Sequence, residues 1–244
     1  MSFLPSDQLS ELMSFARLAD REARSDLARK FIRDENDYTS NFTGALRRII
    51  NSNSRTGLSA TSFLLQPADE REIGADAAII LSRGSESKVA VFEAKWPRFS
   101  QAGYRWDYEQ TSSGLSHFSD QLERQKLWKA QCAVFEMFYC EFPFGKQLPF
   151  LDGSGSSCVW HDDADKFRAG RSRPDDVWTQ RELEKLISLS PITIAEVMRE
   201  FGVCNRGKPL QMIDPEAIFN ELRLPPHLLA ISSSLEHVPI RDQE

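Results

Sequence analysis

Two acidic residues and a lysine are spaced along the chain so that they could bind a divalent cation. Asp76 follows a glycine and an alanine, and Glu93 and Lys95 flank Ala94 further along the chain. Side chains alternate between the two faces of a β-strand, so Glu93 and Lys95 share one face. An antiparallel neighbouring strand would place Asp76 beside them. We therefore expect two carboxylates and one ammonium to meet at one point.

This combination of groups is typical of metal-dependent phosphodiester hydrolysis. Hard cations such as Mg²⁺ bind carboxylate oxygens and water and leave room for a phosphate, and the carbonyl of Ala94 is a further candidate ligand. The metal lowers the pKa of bound water and stabilises charge on a phosphoryl group. Lys95 could orient or deprotonate that water and add positive charge where the phosphorus accumulates negative charge. We expect Mg²⁺ as the cofactor, with Mn²⁺ able to substitute.

The alternative interpretation is a strand end in solvent, where Glu93 and Lys95 form a surface ion pair, because this generic pattern also arises by chance. The neighbouring Val89, Val91 and Phe92 instead predict a strand that is buried on both faces. Ionic residues in such a strand are costly unless they pair with each other or with a metal. The flanking residues therefore favour a functional site.

The elements that must position these groups can be read from apolar periodicity and breaker residues. The predicted order is two helices, three strands, a helix and a strand, over 7–32, 36–51, 61–66, 74–81, 88–96, 112–130 and 132–142. The three consecutive strands predict an antiparallel meander. Beyond residue 165 the pattern is mostly helical, over 178–188, 192–202 and 215–222. We therefore predict a first domain over 1–160 and a mainly helical C-terminal extension over 161–244.

The motif and the order of elements resemble the PD-(D/E)XK nuclease superfamily, which has the restriction-endonuclease-like fold. Asp76 matches the aspartate of that motif and Glu93-Ala94-Lys95 its E-x-K, over a stretch of roughly residues 30–142; Ala75 stands where the name has proline. The resemblance implies an α/β (α+β) fold with a central mixed sheet flanked by helices in αβββαβ order. It also implies a nuclease that acts on DNA, as an endonuclease rather than an exonuclease, in bacterial anti-phage defence or restriction.

The resemblance implies two further site residues. Members often add a glutamate from the first core helix, and Glu35 occupies the matching stretch, with Asp34 and Asp37 as alternatives. An acidic residue at that place also fits a helix N-cap. Members often carry a glutamine on the helix after E-x-K, which would hold the attacking water or a phosphate, and Gln121 is the first candidate.

Other polar residues near the motif are candidates for contact with nucleic acid. Gln125 lies one helical turn after Gln121 and could bind a backbone phosphate. Arg98 and Arg124 are the basic residues that we assign to nucleic-acid binding. A wider basic lining could include Arg105, Lys126 and Lys129. We keep His117 outside the catalytic set, since a lone histidine is more often structural.

Composition bounds the remaining possibilities. The 244 residues carry a net charge of −6 and are 41% hydrophobic, which is enough for a core and too acidic for a protein that coats DNA. No apolar run reaches the length of a membrane span, and the N-terminus lacks a secretory pattern. None of the four cysteines forms a CxxC pair, so we expect a reduced cytoplasmic protein. Cys158 and His161 make a lone C-x-x-H, which fits a zinc ligand pair or merely a turn after a strand.

Two alternatives to a nuclease remain at this stage. One is a non-catalytic module that keeps the nuclease fold and acts in nucleic-acid binding or complex assembly. The other is an unrelated α/β protein with a chance match. The presence of both acids and the lysine disfavours the first. Because the sequence contains no GxxxxGK[ST] motif, we expect a protein partner or a second copy of the chain to direct the site to its target, with residues 165–244 as the targeting or self-association element.

Overall fold

A mixed β-sheet of seven strands runs through the described part of the chain, with helices on both faces. The computed structural model describes residues 2–65, 74–98, 105–111, 114–139, 155–189 and 192–234. Its helices are α1 (Ser6–Ala28), α2 (Glu35–Asn53), α3 (His117–Gln125), α4 (His161–Ala169), α5 (Gln180–Leu189), α6 (Ile194–Gly202) and α7 (Pro215–Leu222). Its strands are β1 (Leu58–Leu64), β2 (Ala77–Arg83), β3 (Glu86–Lys95), β4 (Ala133–Phe138), β5 (Ser157–Trp160), β6 (Ile192–Thr193) and β7 (His227–Ser233).

From α2 to β4 the elements follow the predicted order of helix, three strands, helix and strand. β2 and β3 form the expected antiparallel hairpin, and Ala77 lies opposite Phe92. The turn between them contains Gly84 at φ 62°, a backbone conformation that glycine adopts without strain. β4 then pairs with β3 in parallel, as a helical crossover through α3 allows. β3 is buried from Ser87 to Lys95, as its apolar flanks predicted.

The prediction of a three-stranded meander is wrong in one respect: β1 does not pair with β2. The strand order is β1-β7-β2-β3-β4-β5-β6, so β7 lies between β1 and β2. β7 runs antiparallel to β1 and parallel to β2. Its apolar run from Leu228 to Ile231 is buried, and such a run is more stable between two strands than at an edge.

The sheet therefore draws strands from both sides of the boundary predicted at residue 160. β6 and β7 lie in the predicted extension, and β7 is an interior strand of the sheet, paired on both sides. The three helices predicted in that extension are present as α5, α6 and α7, and α4 is a further helix that the pattern did not predict. The described residues of the predicted extension thus contribute to the same sheet as β2, which Asp76 directly precedes, and they do not form a separate layer.

Two faces of the sheet are covered by different helices. α1, α2 and α6 cover one face, where Leu12, Phe42 and Phe201 belong to one apolar cluster. In α6 a capping box at Thr193 starts the helix, and its apolar side is buried in that cluster. α3 and α7 lie on the opposite face with two smaller clusters. Among the described helices, none is long and apolar enough to span a bilayer.

Because β7 is paired on both sides, its core residues should contribute strongly to the stability of the fold. Leu229 is fully buried and lies opposite Ser62 on β1 and Ile79 on β2. Leu229→Ala should lower the free energy of unfolding by about 2–5 kcal/mol in a urea titration. The control is Ile213→Ala, which changes an apolar side chain that is 52% exposed and should shift stability by no more than about 0.5 kcal/mol. Equal effects of the two substitutions would contradict the central role of β7.

Candidate active site

Asp76, Glu93 and Lys95 converge at one end of the β2–β3 hairpin. Asp76 directly precedes β2, and its backbone N–H donates to the carbonyl of Phe92 over 3.0 Å. Its side-chain Oδ2 accepts from the N–H of Ala94 at 2.7 Å. The Nζ of Lys95 lies 2.6 Å from Oε1 of Glu93, and both side chains are almost fully buried. The structure thus brings the three predicted residues together.

The same face of the sheet carries a third acidic residue that the sequence analysis missed. Glu136 lies on β4 directly opposite Glu93 in the parallel register, and it is fully buried. Paired residues on neighbouring strands project from the same face, so the two carboxyl groups are neighbours. A single glutamate in an otherwise apolar strand was the signal, as it was for Glu93 in β3.

Helix α3 packs directly over these carboxyl groups. Gly74 permits the close approach, because a Cβ atom at that position would lie 2.9 Å from the carbonyl oxygen of Gln121. The side-chain Nε2 of Gln121 donates a very short hydrogen bond to Oε1 of Glu93. The predicted glutamine is therefore at the site, where it fixes the orientation of one of the carboxylates.

Gln125, one turn further along α3, lies beneath the site. Its Nε2 donates to the carbonyl of Gly74 at 2.7 Å and to Oε2 of Glu136 at 3.3 Å, and its Oε1 is 3.0 Å from Nδ1 of His161. Gln125 has no exposed surface. Its predicted role in contacting nucleic acid does not fit this position, because the amide is enclosed and already engaged with protein groups. Gln125 instead connects α3, β4 and the segment before β2.

Glu35 approaches the same point from the opposite face of the sheet, at the first turn of α2. Its Oε1 accepts from the N–H of Trp96 at 3.0 Å, and its Oε2 lies 3.8 Å from Nζ of Lys95. The N-cap of α2 is Asp34, whose side chain accepts from the N–H of Asp37. Asp34 therefore caps the helix, and the adjacent Glu35 lies at the site.

Electrostatics at the site reflect an excess of buried carboxyl groups over cations. Burial raises the pKa of Asp76 well above its usual range, and the neighbouring Glu93 raises it further. Burial and then Glu93 raise the pKa of Glu136 to about 8. Burial alone would lower the pKa of Lys95, but Glu93, Glu35 and Asp76 outweigh it and hold the pKa above its ordinary value. Lys95 is therefore an ammonium at neutral pH and is the positive charge that these acids share.

The oxygens are of the type that a hard divalent cation prefers, but they do not surround a common point as ligands of a bound metal do. With the described residues, Oδ2 of Asp76 and Oε1 of Glu93 make the hydrogen bonds given above, and the second oxygen of each makes none. No group of three His, Cys, Asp or Glu side chains within the described ranges is already gathered as for a metal. Ala94 uses its N–H to hold Asp76. The residues that could hold a cation are Asp76, Glu93 and Glu35, after Lys95 gives up part of its contact with the acids.

A cleft of about 360 Å³ opens onto these groups. Its acidic lining includes Glu35 and Asp76 beside Lys95, and its basic lining includes Arg98 and Arg105. Of the residues predicted to bind nucleic acid, Arg98 therefore lies at the cleft. Arg124 does not line it and pairs with Asp120 on α3 at 2.7 Å.

The remaining basic candidates and the zinc pair lie elsewhere. Lys126 pairs with Glu123, and Lys129 lies 3.8 Å from an oxygen of Asp162, so both belong to a surface network away from the cleft. Cys158 belongs to the apolar cluster on the α1 and α2 face, while His161 binds Gln125 on the other. The two residues therefore do not form a zinc site, and the expected turn is absent as well, because Cys158 lies within β5 and His161 begins α4.

Comparison of the chain with protein-family models, curated proteins and solved structures found no match.

The raised pKa of Glu136 predicts a pH-dependent stability. Its ordinary pKa is 4.5 and its pKa in the folded chain is about 8, so between these values the unfolded chain releases a proton that the folded chain retains. The free energy of unfolding therefore falls as pH rises through that window, by about 1.4 kcal/mol for each pKa unit crossed. Glu136→Gln keeps the shape of the side chain and removes its titratable group. The melting temperature of the variant minus that of wild type should therefore be larger at pH 8 than at pH 5, measured in EDTA.

The matched control for this measurement is Glu221→Gln, at an exposed glutamate on α7. Its melting temperature relative to wild type should be the same at both pH values. Parallel melting of Glu136→Gln and wild type would show that Glu136 is already ionised at neutral pH in the folded protein.

Proposed function

We propose that this protein is a metal-dependent nuclease that hydrolyses phosphodiester bonds of DNA, with Mg²⁺ at Asp76 and Glu93. The observation that carries the proposal is the gathering of Asp76, Glu93, Glu136 and Glu35 around the single ammonium of Lys95, in a buried site that opens to a cleft. The resemblance of Asp76, Glu93 and Lys95 to the PD-(D/E)XK motif also supports metal-dependent hydrolysis of phosphodiester bonds.

The cost of this arrangement argues for a cation. Burying an ionised carboxylate costs several kcal/mol unless it is paired, and one ammonium cannot neutralise several acids. Hydrogen bonds from the backbone N–H of Ala94 and from Gln121 offset part of that cost. A bound dication would supply the missing positive charge, and its preferred ligands are carboxylate oxygens of this kind. Burial raises the pKa of both Asp76 and Glu136, so their charged forms are disfavoured in the metal-free protein, and a bound dication would favour them.

The protein's own groups have separate roles in this proposal. Asp76 and Glu93 hold the cation, which when bound activates a water and stabilises charge on the phosphate. Gln121 fixes the Glu93 carboxylate through the hydrogen bond to its Oε1. Lys95 lies next to both acids and faces the cleft, where its positive charge stabilises the phosphate in the transition state. Because Lys95 is protonated in the metal-free protein, its first role is to stabilise charge. Lys95 could take a proton from water only if a bound dication lowered the pKa of Lys95.

The alternative is a module of the same fold that binds nucleic acid or assembles a complex without cutting. Such a module does not require Lys95 beside the acids, and the intact set favours catalysis. Endonucleolytic cutting, a role in anti-phage defence and direction by a protein partner or a second copy remain predictions from the resemblance.

The direct test separates metal binding from cleavage. Wild type should cut plasmid DNA with Mg²⁺ or Mn²⁺ and not with EDTA. Asp76→Ala should lose both cleavage and metal affinity, since it removes a ligand. Lys95→Met keeps much of the stem and removes the charge, so calorimetry should show metal affinity equal to or above that of wild type. Its cleavage should fall by at least about 10²-fold, the scale of a lost transition-state contact.

Two outcomes would overturn the proposal. Metal-independent or absent cleavage by wild type would remove the nuclease activity itself. Cleavage by Lys95→Met at the wild-type rate would show that the lysine is only the counter-ion of Glu93. Melting curves of all three proteins serve as the control that the variants are folded.

Adjacent acids at the start of α2 supply a second, matched test. Glu35→Gln should reduce cleavage strongly and change stability little, because Glu35 contacts Lys95 and the Trp96 N–H rather than the helix cap. Asp34→Ala removes the cap and should cost about 1 kcal/mol of stability while cleavage changes little. Paired melting and plasmid assays separate the two roles. A reversed pattern would assign the site to Asp34 and leave Glu35 as a helix-end residue.

A further inference from the structure

The wall of the cleft beside the acids contains aromatic rings. Trp96, Trp106, Tyr108 and His117 all line it, together with Arg98 and Arg105. Rings and guanidinium groups are not needed to hold a metal or to activate a water. They need a different explanation, and their chemistry suits flat, polarisable ligands next to a phosphate.

Tyr108 is the most exposed of these rings, and one of its faces is supported by another ring. Its side chain is 56% exposed, yet one face of its ring stacks on His117 with centroids 4.6 Å apart and planes 13° from parallel. The N–H of His117 donates to the carbonyl of Tyr108 over 2.8 Å. The N–H of Gln110 donates to the carbonyl of Leu115 over 2.7 Å, which holds the Tyr108 segment against the start of α3.

The histidine beneath Tyr108 is itself fixed as a neutral ring. The side-chain Nε2 of Gln110 lies 2.9 Å from Nδ1 of His117. Burial, and then the positive charges of Lys95 and Arg124, lower the pKa of His117 to about 4. A rigid, uncharged ring therefore supports one face of Tyr108, and the exposed side of the tyrosine is presented to the cleft.

Positive charge lies beside a second ring of the same wall. The guanidinium of Arg98 lies 4.2 Å from the centre of the Trp96 ring, and the backbone N–H of Trp96 donates to Oε1 of Glu35. Arg98 adopts a left-handed backbone conformation at φ 50°, which an arginine rarely does without a compensating contact. Positive charge is thus placed within the cleft, in reach of a phosphate that lies at the acids.

We infer that Tyr108, supported by His117, is a base-stacking subsite, and that the cleft takes an unpaired nucleotide of a DNA single strand. Inside a duplex both faces of a base are covered by its neighbours, so an exposed tyrosine ring needs a base that lies outside the duplex stack, as the bases of a single strand do. A volume of about 360 Å³ is near the lower end of the range for small-ligand pockets, which suits one nucleotide rather than a double helix. This inference rests on the proposed function, which places the phosphate at the acids, and it adds that the DNA bound there is single-stranded.

The experiment measures binding and cutting separately. Binding of a labelled single-stranded oligonucleotide is followed by fluorescence anisotropy with Ca²⁺, and cutting of the same strand, free or in a duplex, is followed with Mg²⁺. We expect preference for the single strand. Tyr108→Leu should weaken its binding by about 10-fold or more, the scale of one lost base–aromatic stack. Tyr108→Phe keeps the ring and should restore most of the affinity. Phe31→Leu, which alters a ring that is 72% exposed and outside the cleft, is the matched control and should bind as wild type does.

An abasic probe makes the test specific to stacking. Wild type should lose affinity when the base next to the cut is removed from the strand. The affinity of Tyr108→Leu should be the same for the intact and the abasic strand. Equal sensitivity of both proteins, or an equal rate on single strand and duplex, would overturn the subsite while leaving the nuclease in place. Displacement of the strand by a free mononucleotide at similar concentration would overturn the assignment to a strand. Tyr108-dependent binding without any metal-dependent cutting would support the subsite and overturn the nuclease instead.

Discussion

Burying carboxyl groups side by side on one sheet face is the constraint on which the rest of the structure depends. Glu93 and Glu136 lie opposite each other on β3 and β4, and Asp76 joins them at the start of β2. No single interaction balances this charge. The ammonium of Lys95, the backbone N–H of Ala94 and the amides of two glutamines on α3 each offset a part. The packing of α3 over the sheet therefore serves electrostatics as much as apolar burial.

The hydrogen bonds of α3 show how this constraint is met. Gln121 donates to the carboxylate of Glu93, and Gln125 donates to that of Glu136. The side-chain oxygen of Gln125 faces His161 on α4. The two residues are one turn apart, so a single helix can serve both acids only at a fixed height above the sheet. Gly74 sets that height by leaving space for the α3 backbone. A change at any of these places would disturb the spacing of the acids without touching the acids themselves.

Much of the site could be predicted from the sequence because its parts are local. The face shared by Glu93 and Lys95 follows from strand alternation, and the proximity of Asp76 follows from a hairpin. Glu35 and Gln121 came from the resemblance, and both lie where it implied. Glu136 was missed although its strand was predicted, because an apolar strand was taken as packing alone. The same reasoning that singled out Glu93, an acid that a buried strand tolerates only with partners, applies to it equally.

The parts that could not be predicted depend on contacts between distant segments. No pattern within residues 227–233 indicates that they insert between β1 and β2, since an apolar strand fits many places in a sheet. The division into a nuclease domain and a helical extension followed from treating the chain as consecutive blocks. Tyr108 was missed for a related reason: its short segment lacks helical or strand periodicity, and its importance comes from pairing with residues 115–117.

The position of β7 has a consequence for the synthesis of the protein. β1 and β2 leave the ribosome long before residues 227–233 do, and in the final sheet they must not touch each other. Until β7 arrives, each presents an edge of unpaired N–H and C=O groups, and a nascent chain that pairs them directly has to reopen. β2 also carries Asp76 at its start. The proposed nuclease site therefore reaches its final spacing only after almost all of the described chain has been translated, so partly made copies carry an incomplete centre.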